Sequence, residues 1–199
     1  MTYQKKHNIL LSGTIFLFIM MFAASCSSRS EKKKKGVISV TFPIPQYATS
    51  TDSLPFTFDL SNQAKLTWQN NKPGEYFCNV DYPFLNACIY CTYHAITPNK
   101  FRLFAEESRK LVYQHTAMAT AINEKTYSND KLHVYGILYE IQGNVATPLQ
   151  IALTDSNRYF FNASLYFNMT PNIDSISPAV KYIQKDIMRM IESFKVNSK

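Results

Sequence analysis

Five stretches between Glu75 and Asn168 place large apolar or aromatic residues at every second position: EYFCNVDYP, NACIYCTYH, LHVYGILYEIQ, PLQIALTD and RYFFNASLYFN. A period of two sends successive side chains to opposite faces, so each stretch predicts a β-strand. YPFLN, GNVAT and SN are the connections. Such short turns join antiparallel neighbours, whereas a parallel crossover needs about a dozen residues or more. GVISVTFPIP, LPFTFDL and KLTWQ read as earlier strands, the first ended by Pro43 and Pro45, the second with Phe56, Phe58 and Leu60 on one face.

Two segments change to a helical period. Thr97-Pro98 supplies a capping residue and a proline at the first helical position; Phe101, Phe104, Leu111, Val112 and His115 then form one face, opposite Glu106, Glu107, Arg109 and Lys110. The second helix is expected from Ser177-Pro178, with Val180, Ile183, Ile187, Ile191 and Phe194 inward. A polar loop is expected between the first helix and LHVYGILYEIQ. Strands, helix, strands and helix with short hairpins predict an α+β fold, a mainly antiparallel sheet with two main helices. The aromatic strand before a proline and the terminal Ser193-Phe194 pair resemble the Mog1/PsbP-like α/β/α sandwich.

The N-terminal part obeys different rules. Lys5, Lys6 and His7 precede an uncharged run from Ile9 to Ala24. Spanning a membrane takes about 20 apolar residues, so this run fits the apolar region of an export signal better. Ala23-Ala24-Ser25-Cys26 resembles the bacterial lipobox, which implies cleavage before Cys26 and acylation of that residue by palmitate-type chains. The other reading is a signal anchor with an incidental cysteine. Multiple acyl chains give stable anchoring where one does not. The expected organisation is a signal peptide over 1–25, a lipidated basic tether over 26–36 and one domain over 37–199.

Charge follows that division. The formal net charge is +7; Lys5 and Lys6 carry two of it, and Arg29 with Lys32 to Lys35, less Glu31, carry four. The domain keeps +1, which leaves no electrostatic footprint for nucleic acid. The expected partners are the membrane, through the lipid, and another envelope protein. Ser27 after the cysteine points to the outer membrane, and the basic tether to the periplasmic side.

Few residues suggest chemistry. Cys88, Cys91 and His94 give C-x2-C-x2-H, but residues three apart on a strand face opposite ways, so no metal or other cofactor is expected beyond the covalent lipid. In an exported protein, a hairpin of EYFCNV with NACIYC would bring Cys78 to Cys88 as a disulfide. G-x-S-x-G, H-E-x-x-H and S-x-x-K are absent. His115, with Asp155 and Ser156 as partners, is the one candidate base, and would make the protein a periplasmic hydrolase or a glycan- or lipid-binding protein.

VYGILYEIQGNVATPLQIALTDSNRYFFNASLYFN, together with PNIDSISPAVKYIQKDIMRMIESF, SRKLVYQHTAMATAI and FCNVDYPFLNA, resembles the gliding-motility lipoprotein D (GldD) family of Bacteroidota. The resemblance implies an envelope lipoprotein needed for gliding and associated with type IX secretion, without established enzymatic activity. It carries over only the lipidated Cys26. A non-enzymatic assembly or stabilising factor is the leading expectation, ahead of a hydrolase and of a purely structural brace. The contact surface is expected at QGNVATP and the next turn, with Asn144, Thr147, Pro148, Gln150, Asp155 and Ser156.

Overall fold

The computed structural model describes residues 41–50, 53–169 and 172–197, which fall in the compact unit Val40–Lys199. The apolar run, Cys26 and the basic tether lie outside the described residues. The first short strands are β1 (Tyr47–Thr49), β2 (Phe56–Thr57) and β3 (Asp59–Ser61). The sheet strands follow as β4 (Lys65–Lys72), β5 (Glu75–Tyr82), β6 (Ala87–Ala95), β7 (Ala119–Asn129), β8 (Val134–Gly143), β9 (Leu149–Thr154) and β10 (Tyr159–Phe167). Helix α1 (Pro98–Tyr113) separates β6 from β7, and α2 (Ile173–Ser193) precedes a final β11 (Lys195–Val196).

The hairpins assemble a seven-stranded antiparallel sheet in the order β4-β5-β6-β10-β9-β8-β7. Alternation decides what each face receives. Tyr159, Phe161, Ala163 and Leu165 of β10 share one face with Ile89, Cys91 and Tyr93 of β6, and α2 closes that side with Ile183, Ile187, Met190 and Ile191. Phe160 and Asn162 point the other way, where Phe104 of α1 stacks on Phe160 at 5.9 Å and Ser108 Oγ donates to Asn162 Oδ1 at 2.8 Å. The protein is therefore α+β, with one helix on each face of a mostly antiparallel sheet.

The Ser193-Phe194 pair ends α2 and ties it down. Phe194 is fully buried, lies tilted against Phe161 at 4.8 Å and stacks on Phe56 at 5.5 Å. Beside it, the Asp59 N–H donates to Ser193 Oγ at 2.8 Å, so the same corner holds β3. Burying one such ring is worth about 1.5–3 kcal/mol, and ring pairs add ~0.5–1.5 kcal/mol.

Several expectations need correction. Thr41 to Gln46 is not a strand, since Pro43 and Pro45 cannot donate to a ladder; the earlier part of GVISVTFPIP lies outside the described residues. LPFTFDL divides into β2 and β3 around Phe58. The polar loop is instead the eleven-residue edge strand β7, which pairs with β8 and is largely exposed. On α1, Ser108 rather than Leu111 faces the sheet, Leu111 being 56 % exposed. Helix α2 begins at Ile173 and carries Pro178 within its first turns.

Candidate functional site

The turn from β8 to β9 sits between the end of α1 and the early turns of α2. Gly143 opens it at φ +111, and a Cβ there would lie 2.7 Å from the Met118 carbonyl oxygen. The site therefore admits only glycine without movement. The Ile141 N–H donates to the Pro148 carbonyl at 2.9 Å across the turn, and Val145 turns inward onto Val112, Tyr139 and Ile141.

Thr147 follows Val145 inside and is fully buried. Its hydroxyl accepts from Gln150 Nε2 at 2.9 Å and lies 2.9 Å from Nε2 of His115, on the short 3-10 turn after α1. A hydroxyl can accept from the amide while donating to a neutral ring nitrogen, or accept from both. Two separately expected groups, the histidine and the turn, thus meet in one chain of hydrogen bonds. The chain clamps the end of α1 to the turn, and its central hydroxyl is closed to solvent.

That burial corrects the expected contact surface. Thr147, Pro148, Gln150 and Asp155 are buried, Ser156 is half-buried, and of the six residues only Asn144 is exposed. Asp155 is spent locally, accepting the backbone N–H groups of Asn157, Arg158 and Tyr159 and the Arg158 guanidinium at 2.6 Å. Burial alone would raise its carboxyl; those hydrogen bonds outweigh it and hold the group below the ordinary carboxylate value. It orders the β9–β10 turn, where Ser156 has φ +67, and is not a partner of His115.

Beyond the turn, on the α2 face, an open groove of about 470 Å³ runs between β8 and the helix. Pro148, Leu149 and Val180 give it an apolar floor. On its wall Glu140 Oε1 accepts from Gln184 Nε2 and from Lys125 Nζ, both at 2.5 Å.

Among the described residues, the thiols of Cys78, Cys88 and Cys91 are free and buried. The β5–β6 hairpin exists, but its register sets Cys78 opposite Cys91 and Cys88 opposite Asp81. Cys78 and Cys88 are three ladder rungs apart, which overturns the expected bridge. Burial, with added contributions from Asp81, raises the Cys88 thiol to about 12. Among the described residues, no group of three or more His, Cys, Asp or Glu side chains is arranged to hold a metal.

One site was missed from the sequence. Asp186 of α2 is 4 % exposed, accepts from Tyr47 Oη at 2.6 Å and Tyr82 Oη at 3.0 Å, and also bonds Ser61. Burial raises its carboxyl above the ordinary value, against the pull of those hydrogen bonds, and burial beside Asp186 also raises both tyrosines. The signal was available: Asp186 falls between Ile183 and Ile187 on the stripe that α2 presents to the core.

A family model described as gliding motility lipoprotein GldD matches residues 27–196. Comparison with curated proteins gives no match.

Proposed function

This chain belongs to the gliding motility lipoprotein GldD family, and on that premise we propose that it is a non-enzymatic assembly or stabilising factor for the gliding and type IX secretion machinery. Acyl chains on Cys26 hold it at the outer membrane, with the domain facing the periplasm and bound to another envelope protein. The match over residues 27–196 carries the reading, since a gliding-motility lipoprotein is an envelope-associated component of motility. The sequence before the domain supports the anchor: a basic start, an uncharged run too short for a span, and small residues before the cysteine. The site chemistry supports a binding role, because His115 spends a ring nitrogen on a solvent-closed threonine and Asp155 is committed to its own turn.

The test is crosslinking in intact cells, denaturing purification of the lipoprotein and identification of what is attached. Motility or type IX secretion components among the crosslinked proteins are the expected result. An unenriched eluate, together with loss of motility in a His115→Ala strain that keeps normal protein abundance, would overturn it in favour of a hydrolase or a glycan- or lipid-binding protein.

A further inference from the structure

The face at which the chain enters the described domain is apolar and cationic together. Pro43 and Ile44 are exposed there, Ile44 at 88 %. Phe42 stacks on Tyr182 of α2 at 4.9 Å, and Phe84, 47 % exposed at the tip of the β5–β6 hairpin, meets the same ring edge-on at 6.0 Å. Tyr182 therefore joins two apolar projections into one patch. A recess of about 430 Å³ between the proline segment and α2 has Lys181 and Lys185 along it, and its lining contains no carboxylate. The two lysines are exposed and one helical turn apart.

A water-facing surface has no use for an isoleucine this exposed beside a phenylalanine and a pair of lysines. A surface lying on a bilayer uses both: apolar tips enter the boundary between headgroups and acyl chains, and ammonium groups sit over anionic headgroups. Chain length selects this occupant. Cys26 lies fifteen residues before Thr41, and fifteen residues reach at most about 50 Å in any conformation. An acylated Cys26 thus keeps the entry face within that reach of the membrane. At that effective concentration, a weak surface affinity is enough for docking. Lys32 to Lys35 add charge of the same sign on the same path.

We propose that the face formed by Ile44, Phe84, Lys181 and Lys185 docks on an anionic bilayer surface. Ile44 and Phe84 enter the headgroup boundary, and the lysines pair with headgroup phosphates. The proposal rests on the reading that Cys26 is acylated.

The test uses the acylated mature protein, beginning at Cys26, with Trp68→Phe and Ile44→Trp, placed on phosphatidylcholine vesicles containing phosphatidylglycerol and phospholipid brominated on the acyl chains. The unsubstituted protein, with Trp68 on β4, is the reference. The expected result is co-flotation, with Ile44→Trp emission quenched about twofold more than Trp68 emission. Adding Lys181→Glu and Lys185→Glu, or omitting phosphatidylglycerol, should remove that excess. Co-flotation without excess quenching overturns docking and leaves the anchor standing. Failure to co-float overturns the anchor, and docking with it. Quenching indifferent to phosphatidylglycerol overturns the headgroup pairing, and crosslinking from position 44 to an envelope protein without quenching reassigns the face to that protein. Ile44 is so exposed that the substitution leaves the fold unchanged, which far-ultraviolet circular dichroism checks.

Discussion

Replacing Asp186 tests whether the buried polar cluster beneath α2 holds the fold together. Asp186→Ala removes the acceptor for Tyr82 Oη, and Tyr82 is only 1 % exposed, so its hydroxyl has no route to water. An unsatisfied buried hydroxyl costs about 1–3 kcal/mol, and a hydrogen bond to a charged group contributes about 1.5–3 kcal/mol net. Tyr47 is half-buried, and its hydroxyl can turn outward, so its loss counts for less. Removing the carboxylate also removes its own desolvation cost, which offsets part of the total. The expected loss is about 3 kcal/mol for Asp186→Ala and about 1.5 kcal/mol for Tyr82→Phe, which leaves Tyr47 and Ser61 on the carboxylate. Urea denaturation followed by circular dichroism, at unchanged slope, measures both. Asp186→Asn supplies the sign. Burial raises the Asp186 carboxyl in the folded state, so its stability contribution is fully present below the unfolded value, near 3.9, and is lost as pH rises through the raised folded value. Asp186→Asn should therefore gain on the unsubstituted protein as pH rises from about 4 and then level off. An Asp186→Ala loss below ~0.5 kcal/mol, or an Asp186→Asn difference running the other way with pH, would refute the cluster as described.

Thr147→Val keeps the shape but strands the Gln150 amide and frees His115, so a loss of about 1–3 kcal/mol is expected in the same denaturation assay, while His115→Ala costs less because the ring is half-buried. Gly143→Ala should lower stability by at least ~1–2 kcal/mol from the positive φ alone, with a further cost for the contact at the Met118 carbonyl, read as a fall in melting temperature. Any disulfide found by non-reducing peptide mapping should join Cys78 to Cys91 and leave Cys88 open to alkylation in denaturant; a Cys78–Cys88 peptide would contradict the register.

What the sequence allowed to be read depended on whether burial was one-sided. The strands β5, β6, β8, β9 and β10 lie inside the sheet and bury one face in the core beneath α2, and their period of two survived in the residues. Strand β7 is an edge: most of ATAINEKTYSN meets water on both faces, so nothing forced alternation, and the segment resembled a loop. Helix α1 misled in the opposite way. Leu111 is apolar but points to solvent, while Ser108 occupies the inward position because Asn162 of β10 offers it an acceptor. The same substitution of polar pairing for apolar packing explains the turn. Asn, Thr, Pro and Gln in QGNVATP have surface composition, and only the fold shows that Val145 draws the chain inward until Thr147 meets Gln150 and His115. Such a buried threonine cannot be told from an exposed one by its letter, since its partners come from β9 and from beyond α1. Asp186 differs, because a carboxylate set between Ile183 and Ile187 breaks a stripe that is otherwise apolar. A charge in that position requires partners, and three hydroxyl-bearing residues from β1, β3 and β5 provide them. Long-range polar partners are thus predictable as a need where they interrupt an apolar stripe, and invisible where they lie in a polar turn.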